Sequence, residues 1–467
     1  MQIVLIRLLK ILVLLTWPAF TQAQDTLILR DTTIEVSMLD NWDPDYKFND
    51  IWGYQSEDGS EYAITGTLDS TFFFDVTNPA HMEKVAAKAG KDIDAIHRDF
   101  KTYKNYCYGV ADEGRSSLQI FDLSYLPDSV HKVYDSDSLI ERSHNIFIDQ
   151  GRLYATSNKT DSSFHPMTVL SLENPEKPKL LGHLDAKPYS FRNVHDVYVR
   201  NDTAYCSNEG AGLFIFDYTN PVSPKLINAI QSYPQKGYNH SSWLSESGNF
   251  IVFADETQGL PIKVFDVSNL ANIELLNTFG SSVEEGSTPH NPFIRDGLVY
   301  VSYYHDGLQI FDLTNPKKPE KLASYDTYPQ NDEGDFENLE GLWGVYPFLP
   351  SQTIIASDIT NGLFTLRIDT TVKADTLIKN GEPFEAEVLP NPIYDKLKVN
   401  IEVFNADRFN VSILNTMGQV LYQRSKNLSQ GQQQFLFNGL NNLPNGVYFA
   451  VIKADDFSKE IRLLKTQ

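Results

Sequence analysis

The chain has almost no cysteine, only Cys107 and Cys206 in 467 residues. Disulfide frameworks and cysteine-ligated zinc modules are thereby excluded, because each needs several cysteines at fixed spacing. Both cysteines directly follow a tyrosine at one phase of the repeat described below. Two repeats apart, they lie beyond the Cα separation of about 4.4 to 6.8 Å that a bridge requires, so buried free thiols are expected. Positive charge is also short, with 39 basic against 61 acidic residues and a net charge of −22. This argues against nucleic acid or an anionic membrane as the main partner, since both demand basic patches. Solubility is the plainest reading of the excess acid. Beyond the first two dozen residues no apolar run approaches the roughly 20 residues of a spanning helix, so the mature chain should carry no transmembrane segment. Also missing are a Gly-x-Ser-x-Gly elbow, a phosphate-cradling glycine loop and a His-Glu-x-x-His helix.

What the chain does have is 24 Tyr and 28 Phe, with Gly and Pro punctuating at regular intervals, the composition of an all-β protein. The first residues read as a secretory signal: Arg7 and Lys10 are basic, Ile11 to Leu15 are apolar, and cleavage is expected between Ala23 and Gln24. Residues 24–47 form an N-terminal segment in which Thr26 to Val36 is strand-like.

From residue 48 a unit of about 46 to 49 residues repeats, and periodicity of this kind governs how any local motif is read. One unit runs from a first strand at Asn291 to Ile294, through the turn Arg295-Asp296-Gly297, to a second strand at Leu298 to Tyr303. A third strand, Gly307 to Asp312, leads into Asn315-Pro316 and a short fourth strand from Glu320 to Ala323. Asp-Gly and Asn-Pro mark turns because Gly supplies positive φ and Pro fixes its own. The third strand recurs with its terminal aspartate at Phe74-Asp75, Phe121-Asp122, Phe216-Asp217, Phe265-Asp266 and Phe311-Asp312, with degenerate copies at Leu170-Ser171 and Leu366-Arg367. Four short strands per unit, seven times over, predict a seven-bladed β-propeller spanning 48–369. The last unit shows only three strands, and the N-terminal segment is expected to supply the fourth. The acidic insertion at 332–337 lengthens that unit.

Five of the ten histidines, His97, His144, His195, His240 and His290, fall at one phase of this repeat, each three residues before an aromatic. Random placement would put roughly 0.15 in a column of seven, so the column reports architecture. One residue per blade forms a ring around a propeller axis; counted three before an aromatic, Asn49 and Glu340 complete it. Imidazoles and carboxylates converging on a channel mouth suit a transition metal, whose bound water could attack an ester, lactone or phosphate. The competing reading is structural, because an imidazole can both donate and accept and so tie one blade to the next. A second set, Glu113, Glu209, Asp255, Glu256 and Asp358, follows second strands and should gather on one rim. Hard oxygen ligands there would suit calcium, although no fixed calcium-loop spacing exists and solvated loop charge explains them as well.

The Gly-Leu-x-Ile-Phe-Asp cassette with its Asn-Pro turn resembles the LVIVD repeat. With Tyr238 to Leu244, Ser143 to Ile146 and Gly344 to Pro347, the region 48–369 is similar to the choice-of-anchor B family of exported bacterial propellers. That resemblance implies an architecture and no particular activity. After a polar linker, 370–387, residues 388–467 resemble the type A C-terminal sorting domain of the type IX secretion system. The features that carry this are Pro390-Asn391-Pro392, Met417-Gly418, Gly446-Val447-Tyr448 and a basic end reaching Lys465. The resemblance implies an immunoglobulin-like sandwich, handling by the type IX machinery of a Bacteroidetes-type bacterium, and removal of the module after passage across the outer membrane. In that module Val447, Phe449 and Val451 alternate with Tyr448, Ala450 and Ile452, so the strand is apolar on both faces and is expected to be central. The combined reading is an exported binding module for a glycan, peptide or surface protein. A metal-dependent hydrolase at the histidine ring and a structural envelope component are the alternatives.

Overall fold

The computed structural model describes residues 32–44, 46–160, 163–330, 336, 339–372, 383–403, 408–429, 431–454 and 457–466. The signal and its cleavage site at Ala23 and Gln24 lie outside the described residues, as do most of the acidic insertion and the middle of the linker.

Residues 32–372 form seven four-stranded antiparallel sheets in a propeller-like arrangement. Six of these sheets are built from four consecutive strands, so each repeat unit closes its own sheet through short turns. The Asp296-Gly297 turn shows why: both residues have positive φ (54° and 77°), the geometry whose twist matches the flanking strands. The seventh sheet is different. It combines Leu342–Tyr346, Ile354–Asp358 and Gly362–Val372 with the N-terminal strand Thr32–Trp42, which pairs antiparallel from Thr32↔Val372 to Trp42↔Leu363. Two stretches some 330 positions apart in the chain are thereby zipped together.

The innermost strand of each sheet touches that of the next. In order they are Phe48–Gln55, Arg98–Tyr103, Ile146–Asp149, Val197–Arg200, Asn239–Leu244, Pro289–Arg295 and Leu342–Tyr346, and the last of these packs back on the first. The seven sheets therefore close a ring. Their faces are apolar and pack in pairs; Cys107 packs with Ile64, Phe73 and Phe121, and Cys206 with Tyr154, Val169 and Phe214. Both thiols are free and buried, and burial pushes them far above the usual thiol range.

Residues 384–465 form two further sheets. Phe384–Leu389, Lys396–Val403 and Gly431–Asn438 make one; Val420–Asn427, Arg408–Asn415, Gly446–Ala454 and Phe457–Lys465 make the other. Val399, Ile401 and Phe435 of the first share one core with Val411, Ile413, Ile452 and Leu463 of the second. The strand Gly446–Ala454 is central, yet only Tyr448, Ala450, Ile452 and Ala454 are buried. Val447, Phe449 and Val451 stay half-exposed, because the sheet has a partner on one side only. The Asn391 side chain holds the opening turn to the last strand, donating to the Arg462 carbonyl (3.1 Å) and accepting from the Leu464 N–H (2.8 Å). Tyr448 donates to the Pro444 carbonyl (2.8 Å), Gly418 occupies its turn at φ 76°, and Lys465 is buried beside Ile393.

Candidate functional site

Four of the five histidines in the column sit in β-bulges at one end of the innermost strands. In the fifth sheet His240 is the extra residue between the pairs Asn239↔Asp255 and Ser241↔Ala254. In the sixth, His290 and Asn291 lie between Pro289↔Tyr303 and Pro292↔Val301. The third and fourth sheets repeat the device, with Thr156 bonded to both His144 and Asn145 and Ser207 to both His195 and Asp196. A bulge re-aims side chains, here placing an imidazole and the polar residue after it on the same side.

The second sheet has no bulge: Arg98↔Ala111, Asp99↔Val110 and Phe100↔Gly109 pair in unbroken register. Strict alternation then places His97 and Asp99 on one side and Arg98 on the other. Arg98 turns away to bond the carbonyls of Thr67, Leu68 and Asp92. The imidazole thus stands one residue earlier there than in the bulged sheets.

The five imidazoles form a continuous arc. Ring centroids are 5.5 Å apart for His97–His144, 4.0 Å for His144–His195, 4.3 Å for His195–His240 and 4.4 Å for His240–His290. The circle is closed by Trp343, 5.2 Å from His290 and 5.3 Å from His97. Trp343 is the bulge residue of the seventh sheet, between Leu342↔Asp358 and Gly344↔Ser357, and so occupies the position equivalent to His290.

This corrects the seven-membered ring expected from the sequence. Glu340 accepts from Thr360 Oγ1 (2.5 Å) and pairs with Lys47 (3.8 Å). Asn49 sits in the bulge of the first sheet, but its amide donates to the Ile96 carbonyl (2.9 Å). Counting back from an aromatic picked Glu340 because Trp343 was taken as the aromatic marker. Aligning Gly344-Val345-Tyr346 with Asn291-Pro292-Phe293 would have placed Trp343 in the ring.

Carboxylates surround the arc. Asp112 accepts from His144 Nδ1 (2.6 Å) and lies 3.4 Å from His97 Nδ1, which also donates to Glu113 (2.5 Å). His195 Nδ1 donates to Asp196 (2.9 Å), and Glu256 is 3.7 Å from His240 and 3.9 Å from His290. His290 Nδ1 donates to the Trp343 carbonyl (2.5 Å). Burial would lower His97, but the bonds from Asp112 and Glu113 outweigh it and lift the group to about 10. On the other side burial holds His290 below its ordinary value. Burial, followed by neighbouring imidazoles, holds His240 well below it. One arc therefore carries a protonated end and a neutral end.

Polar residues one or two positions after the ring residues form a deeper layer. Asp50 accepts from the Phe100 N–H (3.2 Å), Asp99 from the Ile146 N–H (2.7 Å) and Asn145 from the Val197 N–H (3.4 Å), each reaching into the next sheet. Lys101 donates to Asp99 (2.8 Å) and lies over the Trp52 ring (4.3 Å). A central cavity of about 40 Å³ opens in this layer, bordered by Asp99, Lys101, Asn145, Asp196, Ser241 and Asn291 among others. That is room for a few waters. Deeper still, Phe147, Tyr198, Trp243 and Phe293 pack ring against ring at steep angles, and Phe348 stacks on Trp243 at 5.2 Å. The site is a mouth at one end of the axis.

The expected rim of acidic ligands does not gather. Asp255 is fully buried against Lys263 (2.9 Å), Tyr233 and the Gly237 N–H. Asp358 is buried under Thr327, Thr360 and Asn361. Glu209 accepts from Asn193 and from Tyr238. Only Glu113 and Glu256 stand beside imidazoles, and among the described residues every group with metal-ligand spacing contains histidine. Successive side chains at a strand end point to opposite sides, as Asp255 and Glu256 show, so equal spacing in sequence did not mean one rim. Two tyrosines stand beside the mouth, Tyr304 (4.8 Å from His290) and Tyr238 (5.2 Å from His195), and Tyr304 is buried in the packing there.

Residues 191–231 match the model of the LVIVD repeat, and residues 387–465 match that of the secretion system C-terminal sorting domain. The second match gives the destination: the chain is exported through the type IX secretion system to the cell surface or the extracellular space. No described helix is long and apolar enough to cross a membrane. No curated protein matches the sequence. Among solved structures the chain is similar to PorZ, a bacterial surface component of the type IX secretion system of Porphyromonas gingivalis. The identity is 13%, over 92% of this chain and 60% of that one, with a TM-score of 0.48. The periplasmic gluconolactonase PpgL of Pseudomonas aeruginosa is 11% identical over 84% and 99% of the two chains, with a TM-score of 0.49. The chain thus spans 60% of the length of PorZ.

Proposed function

We propose that the chain is a seven-bladed β-propeller of the choice-of-anchor B type, joined through residues 370–387 to an immunoglobulin-like sorting sandwich at 388–467. It acts as a binding module on or beyond the cell surface, after loss of a signal peptide at 1–23. Seven closed sheets in a ring and two C-terminal sheets around one core support the architecture.

One observation carries the binding role: much of the hydrogen-bonding capacity at the mouth is not spent on holding sheets together. Hydroxyls do much of that work. Thr156 donates to the His195 carbonyl (2.6 Å), Ser241 to that of His290 (2.8 Å), Ser302 to that of Trp343 (3.0 Å) and Ser357 to that of Asn49 (2.5 Å). Meanwhile His240 Nδ1, Ser242 Oγ and Asn291 Oδ1 are buried without a partner. Each such atom costs about 1–3 kcal/mol, a cost a ligand would relieve. A glycan hydroxyl or a peptide polar group has the right chemistry. The test is a glycan and peptide array probed with the exported chain and with the double variant His144→Ala/His195→Ala. Selective binding that disappears in the variant is expected; equal binding by both would move the site off the mouth.

A second reading, hydrolysis, rests on the pairs His144–Asp112 and His195–Asp196, since an imidazole oriented by a carboxylate can act as a general base. Turnover of an ester, lactone or phosphate that requires His144 or His195 would favour it.

A further inference from the structure

Three imidazoles and a carboxylate meet at the centre of the arc. One ligand-capable atom from each of His144, His195, Asp196 and His240 lies within 4.8 Å of all the others. Zinc–nitrogen bonds of about 2.0–2.1 Å in a tetrahedron place ligand atoms roughly 3.3 Å apart, so small side-chain rotations would bring this set to bonding distance. We propose that the mouth holds one divalent transition-metal ion of the zinc class, bound by His144, His195, His240 and Asp196.

The orientation of the imidazoles argues for this set. A carboxylate only accepts, so the bond of His144 Nδ1 to Asp112 (2.6 Å) makes that nitrogen the donor, and in the neutral imidazole, the form a metal binds, Nε2 carries the lone pair. Nε2 is the nitrogen that faces Asp196, at 3.9 Å. His195 likewise donates from Nδ1 to Asp196 (2.9 Å), freeing its own Nε2. Metal-bound histidines are held by such a bond from the opposite ring nitrogen. The second, independent observation is His240: its side chain is 4% exposed, and Nδ1 has no hydrogen-bond partner. An unpartnered imidazole nitrogen buried beside two further imidazoles and a carboxylate points to a missing ligand.

The neighbouring candidates are weaker. In the group of His97, Asp112 and Glu113 the imidazole and carboxylates already satisfy one another. The group of His240, Glu256 and His290 offers three ligands and shares His240 with the first. A nitrogen-rich set with one oxygen suits zinc, copper, nickel or cobalt and discriminates against calcium and magnesium.

This inference deepens the reading of the mouth as a binding site, because an ion held by these four side chains can expand to five-coordinate and take a ligand's oxygen or nitrogen directly. The experiment uses the full exported chain, without an affinity histidine tag, stripped with chelator and titrated with Zn²⁺ by calorimetry and with Co²⁺ by visible absorption. One equivalent of metal and the intense spectrum of low-coordinate Co²⁺ are expected. His240→Ala and either His195→Ala or His195→Gln should abolish stoichiometric binding. Asp112→Asn, which touches no metal, should weaken it roughly 10- to 100-fold by releasing His144. His131→Ala, at an exposed imidazole stacked on Tyr125, should change nothing. Absence of a stoichiometric site in the folded chain, or binding that survives both the His195 and His240 changes, overturns the proposal. Array binding by the metal-stripped chain would leave the binding role standing while the metal falls.

Discussion

Replacing Asp358 with asparagine should stabilise the protein above neutral pH and remove a defined part of its pH dependence. Asp358 ends the second strand of the sheet that joins the two ends of the ring, and it is fully buried. Its oxygens accept from Thr327 Oγ1 (2.6 Å), the Thr360 N–H (2.9 Å) and the Asn361 N–H (2.8 Å). Those bonds favour the charged form, but burial outweighs them and raises the carboxyl to about 7. The native state then holds a proton that the unfolded chain, with an aspartate near 3.9, releases earlier, so stability falls as pH rises from about 4 to 7. About three pKa units at 1.36 kcal/mol each set a ceiling near 4 kcal/mol, and relaxation around the charge should leave about half. Asparagine keeps one oxygen for the two N–H groups, and its NH₂ can donate to the Thr327 hydroxyl, which rotates to accept. Urea unfolding of Asp358→Asn and the native chain at pH 5 and pH 8 makes the comparison. A variant near parity at pH 5 and about 2 kcal/mol more stable at pH 8 is expected. A variant less stable at pH 8, or one whose difference does not change with pH, would refute the argument.

The pair Lys263–Asp255 has both side chains fully buried, so Lys263→Met should strand a carboxylate and cost about 3–5 kcal/mol, read by urea unfolding. A loss below about 1 kcal/mol would mean that Tyr233, Gly237 and Asn239 satisfy Asp255 without the lysine. Deleting residues 388–467 should leave the protein in the periplasm of a type IX-competent host, measured by fractionation and surface labelling. Normal surface delivery of that truncation would show that the matched domain is not its sorting signal.

Much of the fold was legible because it is local. Asp296-Gly297, the Phe-Asp strand ends and the Asn-Pro turns each act within a few residues, and seven copies make a weak signal readable. The histidine column was legible for the same reason, since a ring needs one residue per unit at one phase. Trp343 was missed because it served as the aromatic marker for Glu340, and Asn49, although it holds the ring position in its bulge, turns its amide to the Ile96 carbonyl. The period-2 alternation of a strand changes face with one inserted residue, and a bulge is decided by the partner strand.

The sequence by itself therefore determined the repeat, the export route, the two-part organisation and the column of imidazoles. Tertiary structure alone decided what those imidazoles face. Residues 45 to 51 positions apart come within 5.5 Å of each other only because seven sheets close around one axis, and Thr32–Trp42 reaches Gly362–Val372 by the same closure. The fold also separated the carboxylates: Asp255 meets a lysine on the next strand of its own sheet, Asp358 lies under a threonine, Asp112 reaches a histidine of the next sheet, and Asp196 holds the histidine before it. The spacing of these carboxylates along the chain carries no record of that partition, because most of the partners come from other strands.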